Sequence, residues 1–67
     1  MEYIDDIGAT AGKVWSFLTE RGKVSLSALE KGVDEPRSVV YMAIGWLARE
    51  GKVTIRREER SIQIWLT

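Results

Sequence analysis

The chain has no cysteine, no histidine and a single proline in 67 residues. Without cysteine there is no disulfide, and without cysteine or histidine there is no thiolate or imidazole metal site. That composition fits a reducing cytoplasm, where we place the chain. No apolar run reaches the roughly 20 residues of a membrane span, and none has the layout of a signal peptide. A glycine-rich phosphate loop, a nucleophile elbow and metal-ligand spacing are missing as well. Asp5 and Asp6 stand together with no histidine or cysteine to make a catalytic set. These absences give a non-enzymatic protein with no cofactor, no metal and no membrane as partner. An overall positive charge, usual in an obligate nucleic-acid binder, is also absent: ten basic and ten acidic side chains leave the chain neutral.

What is present is an ordinary globular composition, 45% apolar and 30% charged. We expect one domain over residues 1–67, near the lower size limit for independent folding. A core this small supplies only about 3–5 kcal/mol. With disulfides and metals excluded, oligomerisation is the remaining common support. The charge is unevenly spread. Residues 1–36 carry four bases and seven acids, net −3, and residues 37–67 carry six bases and three acids, net +3.

Apolar spacing predicts the elements. Ile7, Ala11, Val14, Trp15 and Leu18 share one face of a helix over Ile7 to Arg21, which makes Trp15 a core residue. Asp5 and Asp6 precede that helix and suit its N-terminus. Tyr3 and Ile4, in the segment Met1 to Asp6, either pack on the C-terminal hairpin or join a dimer contact. Gly22 stops the first helix, and Lys23-Val24-Ser25 is short and extended. Ser27-Ala28-Leu29-Glu30 has the capping-box pattern of a second helix start, with Leu26, Leu29 and Val33 inward. Gly32-Val33-Asp34 makes a tight connection. Asp34 is the expected N-cap of a third helix, Glu35 to Glu50, with Pro36 in its first turn. Val40, Ala43, Ile44 and Leu47 form its buried stripe, and Gly51 closes it in a left-handed conformation. The period then changes to two. Val53 and Ile55, then Ile62, Ile64 and Leu66, predict an inward hairpin face. Arg57-Glu58-Glu59-Arg60 lacks the residues of a tight primed turn, so the connection should be longer or looser.

Helix, short strand, helix, tight turn, helix and hairpin is the order of a winged helix-turn-helix. The fold class is α+β, mainly α. The segment Val24 to Leu29, then Gly32-Val33-Asp34, Val40, Ile44, Leu47 and Glu50-Gly51-Lys52-Val53, resembles the pattern of many bacterial winged-helix regulators. "AGKVWSFL" (Ala11 to Leu18) with "AIGWLAREGKV" (Ala43 to Val53) is similar to small stand-alone bacterial winged-helix proteins of unassigned function. That resemblance implies the fold; nucleic-acid binding would follow only from the fold, and function is decided by sites.

Two functional readings follow. In the first, the third helix reads double-stranded DNA in transcriptional regulation, using Arg37, Ser38, Tyr41, Arg49 and Lys52, with Arg56, Arg57 and Arg60 on the wing reaching phosphates or the minor groove. Glu58 and Glu59 oppose phosphate approach, and a solvated turn with cross-strand Arg–Glu pairs explains the same residues. In the alternative, Met42, Gly45, Trp46 and Trp65 form a protein-interaction or homodimer surface on a scaffold that does not bind DNA. Val39 and Trp46 border one side of the outer face of the third helix and Tyr41 the other. Trp46 and Trp65 are both out of phase with their core stripes; they form either a self-association surface or flat covers over neighbouring aliphatic atoms. Gly45 costs its helix about 1 kcal/mol against alanine. It serves either close approach by another chain or a neighbouring ring, Trp15 or Trp65.

Overall fold

The computed structural model describes residues 2–67. In chain order it has α1 (Ile4–Arg21), β1 (Val24–Ser25), α2 (Leu26–Gly32), α3 (Arg37–Arg49), β2 (Val53–Glu58) and β3 (Ser61–Leu66). The strands form one antiparallel sheet in the order β1-β3-β2. Three helices with a short strand and a β2–β3 wing make a winged helix-turn-helix.

Each helix ends for a local reason. Gly22, at φ 74, lets the chain leave α1 while its N–H still bonds the carbonyl of Leu18. At the end of α3, Lys52 N–H bonds the Leu47 carbonyl and Gly51 N–H bonds the Ala48 carbonyl, with Gly51 at φ 74. That pair of bonds is a Schellman motif, and it turns the chain directly from α3 into β2.

The starts differ from expectation. α1 begins one turn earlier, at Ile4, so Asp5 and Asp6 lie inside its first turn, where they still favour the helix dipole. Tyr3 and Ile4 are exposed, at 42% and 76%, and neither belongs to the core; Met1 lies outside the described residues. The α2 cap is Ser25, whose hydroxyl accepts the N–H of Ala28, and Ser27 is an exposed residue inside the helix. Ser25 wins because its pairing with Gln63 in the sheet already holds it extended, as an N-cap must be. α3 begins at Arg37 after Pro36, whose carbonyl accepts the first helical N–H groups; Asp34 makes no cap.

The core gathers Val14 and Leu18 of α1, Leu29 of α2, Val40, Ala43, Ile44 and Leu47 of α3, and Val53 and Ile64 of the sheet. Four departures matter for the surface. Trp15 is 41% exposed; the inward face of α1 is centred on Val14 and Leu18, and Trp15 falls at its edge. Val39 is buried because α1 lies along that flank of α3. Ile55 and Ile62 share the sheet face of buried Val53 and Ile64 but remain 43% and 38% exposed. A six-residue strand is about 20 Å long, and the wing outruns the helices that cover its base. Finally, the wing turn is tight. Glu58 pairs with Ser61, leaving Glu59 and Arg60 as the turn, with Glu59 at φ 55. Ladder pairing sets the turn length here, against the residue preferences of a primed turn.

Gly32 is the glycine that packing demands. A Cβ there would fall 2.0 Å from the Phe17 ring, so α2 ends under an aromatic edge from α1.

Candidate functional site

The outer face of α3 and the inner face of the wing meet at an angle. Between them runs a groove lined by Leu26, Tyr41, Ile44, Gly45, Ile55 and Ile62. At 100° per residue, Ser38, Met42, Gly45 and Arg49 form the centre of the exposed side of α3. Met42 and Tyr41 are 42% and 44% exposed. A Cβ on Gly45 would meet nothing within 4 Å. Neither Trp15 nor Trp65 is its neighbour, so no ring of this chain requires the glycine.

Two of the proposed DNA readers are engaged by one carboxylate. The Tyr41 hydroxyl donates to Glu30, and Arg37 Nε lies 3.4 Å from the same Glu30 oxygen. Holding the phenol proton on a carboxylate pushes the Tyr41 pKa above its ordinary value of 10.0. Glu30 was expected to close a capping box on α2; it instead fastens α2 to the start of α3.

The remaining predicted cations occupy different places. Arg49, Arg57 and Arg60 are exposed, and among the described residues no carboxylate lies within ion-pair distance of any of them. Arg57 pairs with Ile62 in the ladder and shares the inner wing face; Arg60 is in the turn. Lys52 sits 3.6 Å from Glu50. Arg56 is on the opposite side of the wing, its guanidinium 5.4 Å from the centroid of Trp65. Lys23 approaches the same ring at 4.9 Å and also pairs with Glu58 at 2.9 Å. A carboxylate of the wing is thus taken by Lys23, just before β1, and not by the wing arginines.

The four residues proposed as one protein interface are therefore split three ways. Gly45 lines the groove, and Met42 is exposed on the outer face of α3. Trp65 is half-buried on the outer sheet face between two cations. Trp46, 53% exposed, lies on the other flank of α3, where it lines a cleft with Gly8, Gly12 and Trp15 of α1. Sequence reasoning missed Ile55, Ile62, Glu30 and the α1 residues of that cleft. The length of the hairpin was the available signal for the isoleucines.

The winged helix-turn-helix domain family DUF2582 matches residues 1–66. The chain belongs to that family. An uncharacterised protein of Methanocaldococcus jannaschii is 44% identical over 57 residues, which is 81% of this chain and 80% of that protein. A protein of Bacteroides thetaiotaomicron, solved by solution NMR, is similar at 42% identity with a TM-score of 0.79, over 90% of this chain and 73% of that one. A HOP2 structure, concerned with DNA recognition and protein interaction domains, has a TM-score of 0.70 over 87% of this chain and 98% of that one; at 21% identity the likeness is one of fold. No helix among the described residues of this DUF2582 domain is long and apolar enough to cross a membrane. Its groove between α3 and the wing is mainly apolar, whereas base reading draws on hydrogen-bonding groups.

Proposed function

We propose that the chain is a cytoplasmic, non-enzymatic docking module whose groove between α3 and the wing holds an apolar segment of another protein, flanked by acidic residues. The observation that carries this reading is the pair Ile55 and Ile62, exposed on the inner wing face opposite Tyr41 and Gly45. Fully burying an isoleucine side chain is worth about 1.5–3 kcal/mol, and the two-fifths of Ile55 and Ile62 still exposed leaves roughly 1 kcal/mol from each for a partner that fills the groove. Gly45 lets that partner approach the α3 backbone closely. Arg57 shares the inner wing face, Arg60 is in its turn and Arg49 is on the exposed side of α3; among the described residues none has a carboxylate partner, which matches acidic flanks on the occupant.

The same three arginines support a second reading, duplex DNA held through phosphates in a transcriptional regulator, with Arg37, Ser38, Tyr41, Lys52 and Arg56 completing the contact set.

One comparison separates the readings. Displayed peptides are selected on the folded chain, and the best acidic-apolar peptide is titrated by NMR beside a mixed-sequence duplex at about 50 mM salt, a condition that favours phosphate contacts. Docking predicts peptide-induced shifts at Tyr41, Gly45, Ile55 and Ile62 that vanish in Ile62→Glu. Duplex binding that falls steeply with salt, weakens in Arg57→Ala and survives in Ile62→Glu would establish the DNA reading instead. A groove that takes no peptide overturns docking.

A further inference from the structure

α1 carries a second unfinished surface, separate from the groove. Gly8 and Gly12 are exposed, and a Cβ on either would meet nothing within 4 Å. Each glycine costs an exposed helix about 1 kcal/mol against alanine, and nothing in this chain needs that cost. The same strip of the helix carries Ile4 at its N-terminal end and Trp15 beyond the glycines, 76% and 41% exposed. At 100° per residue, Ile4, Gly8, Gly12 and Trp15 fall within an arc of about 80°. Trp46 of α3 forms the far wall of the cleft beside them.

We infer that this face binds a second copy of the chain, α1 against α1 in antiparallel order, in a two-fold dimer. The strip is complementary to itself in that order. A two-fold axis crossing the strip midway between Gly8 and Gly12 sets Gly8 of one copy against Gly12 of the other. The residue pairs then place Ile4 of each copy beside Trp15 and Ser16 of its partner. Glycine facing glycine lets the helix backbones approach closely, and the large apolar groups at either end cover one another. Charge fixes the direction. Asp5 and Asp6 fill the first turn of α1, so a parallel pairing would stack four carboxylates, whereas the antiparallel one holds them at opposite ends. The helix dipoles favour the same order.

The area available sets the strength. A standard interface takes about 800 Å² from each partner, roughly a sixth of this chain's 4772 Å². One 18-residue helix face with Trp46 at its edge falls at or below that figure, so the dimer is a weak one, formed in the micromolar-to-millimolar range. It leaves the groove between α3 and the wing open, and it does not depend on what that groove binds.

Sedimentation equilibrium from about 10 µM to about 1 mM, where weak complexes populate, should show the average mass rising from one chain toward two. Gly12→Leu keeps the helix but blocks close approach, and Ile4→Glu removes the end contact; each should weaken the dimer at least about tenfold, equivalent to 1.4 kcal/mol. Circular dichroism verifies that both variants are folded. Isotope-filtered NMR on the unaltered chain should give contacts between Ile4 methyls and the Trp15 indole of different copies. A chain that stays monomeric at millimolar concentration overturns the inference. So does a dimer that Gly12→Leu leaves unchanged, or one that shows Ile4 against Ile4 between copies.

Discussion

The two faces of the wing are built from the same two strands and end differently. On the outer face Trp65 is half-buried, with Lys23 and Arg56 stacked on its ring and Lys23 held by Glu58. On the inner face Ile55 and Ile62 keep 43% and 38% of their surface in water. The helices repeat the contrast. Gly32 lies against Phe17 with no room for a methyl group, while Gly45 faces open space. Where the chain has a neighbour to offer, it completes its own packing. The positions it leaves incomplete are grouped, and those groups are the candidate interaction surfaces.

The sharpest way to test that contrast is along one strand. Ile64 is fully buried and Ile62, two residues earlier on the same face, is 38% exposed. Ile64→Ala should cost about 2–5 kcal/mol, whereas Ile62→Ala should cost under about 1 kcal/mol, measured by urea denaturation. Equal losses would mean that the tip is packed as well as the base. Next come the glycines. Gly32→Ala should destabilise by about 1–3 kcal/mol through overpacking on Phe17. Gly45→Ala should stabilise by up to about 1 kcal/mol, and a loss there would mean the open side is already occupied. On the outer face, a double-mutant cycle between Lys23→Ala and Trp65→Leu should return a coupling of about 0.5–1 kcal/mol. A coupling near zero would remove the distinction between the two faces.

The smallest effect is a titration. Glu30 raises the Tyr41 pKa by holding the phenol proton. The stabilisation from this bond is present below the ordinary tyrosine value, and it is lost as pH rises through the raised one. Ultraviolet absorbance should show Tyr41 ionising above pH 10, and Glu30→Gln should bring that step down.

Much of the fold was legible. The stripe Val40, Ala43, Ile44 and Leu47 is buried as its spacing required, Gly51 closes α3, and Trp65 lies on the sheet face that its phase assigned. Periodicity reports which residues share a face, but not how wide a neighbour covers it. Val39 was therefore placed outside a buried arc that α1 widens, and Trp15 inside one that it only borders. Caps failed for a similar reason. Ser25 and Ser27 both carry a suitable hydroxyl, and only strand pairing with Gln63 decides between them. The groove was half legible: Gly45 stood out as a misfit on α3, but the isoleucines across the groove from it, Ile55 and Ile62, had been assigned to the core. Alternation fixes a strand's face, and only the reach of the hairpin past the helices shows which part of that face is covered.

Glu30 has a consequence on an evolutionary scale. One carboxylate on α2 occupies both an arginine and a tyrosine at the edge of the face that other winged helices turn toward nucleic acid. A single-nucleotide change from a glutamate codon gives lysine. That one step would release Arg37 and Tyr41, add a base among them and take the chain from net charge zero to +2. Much of the chemical distance between a neutral docking surface and a phosphate-seeking one is thus concentrated at a single position of α2.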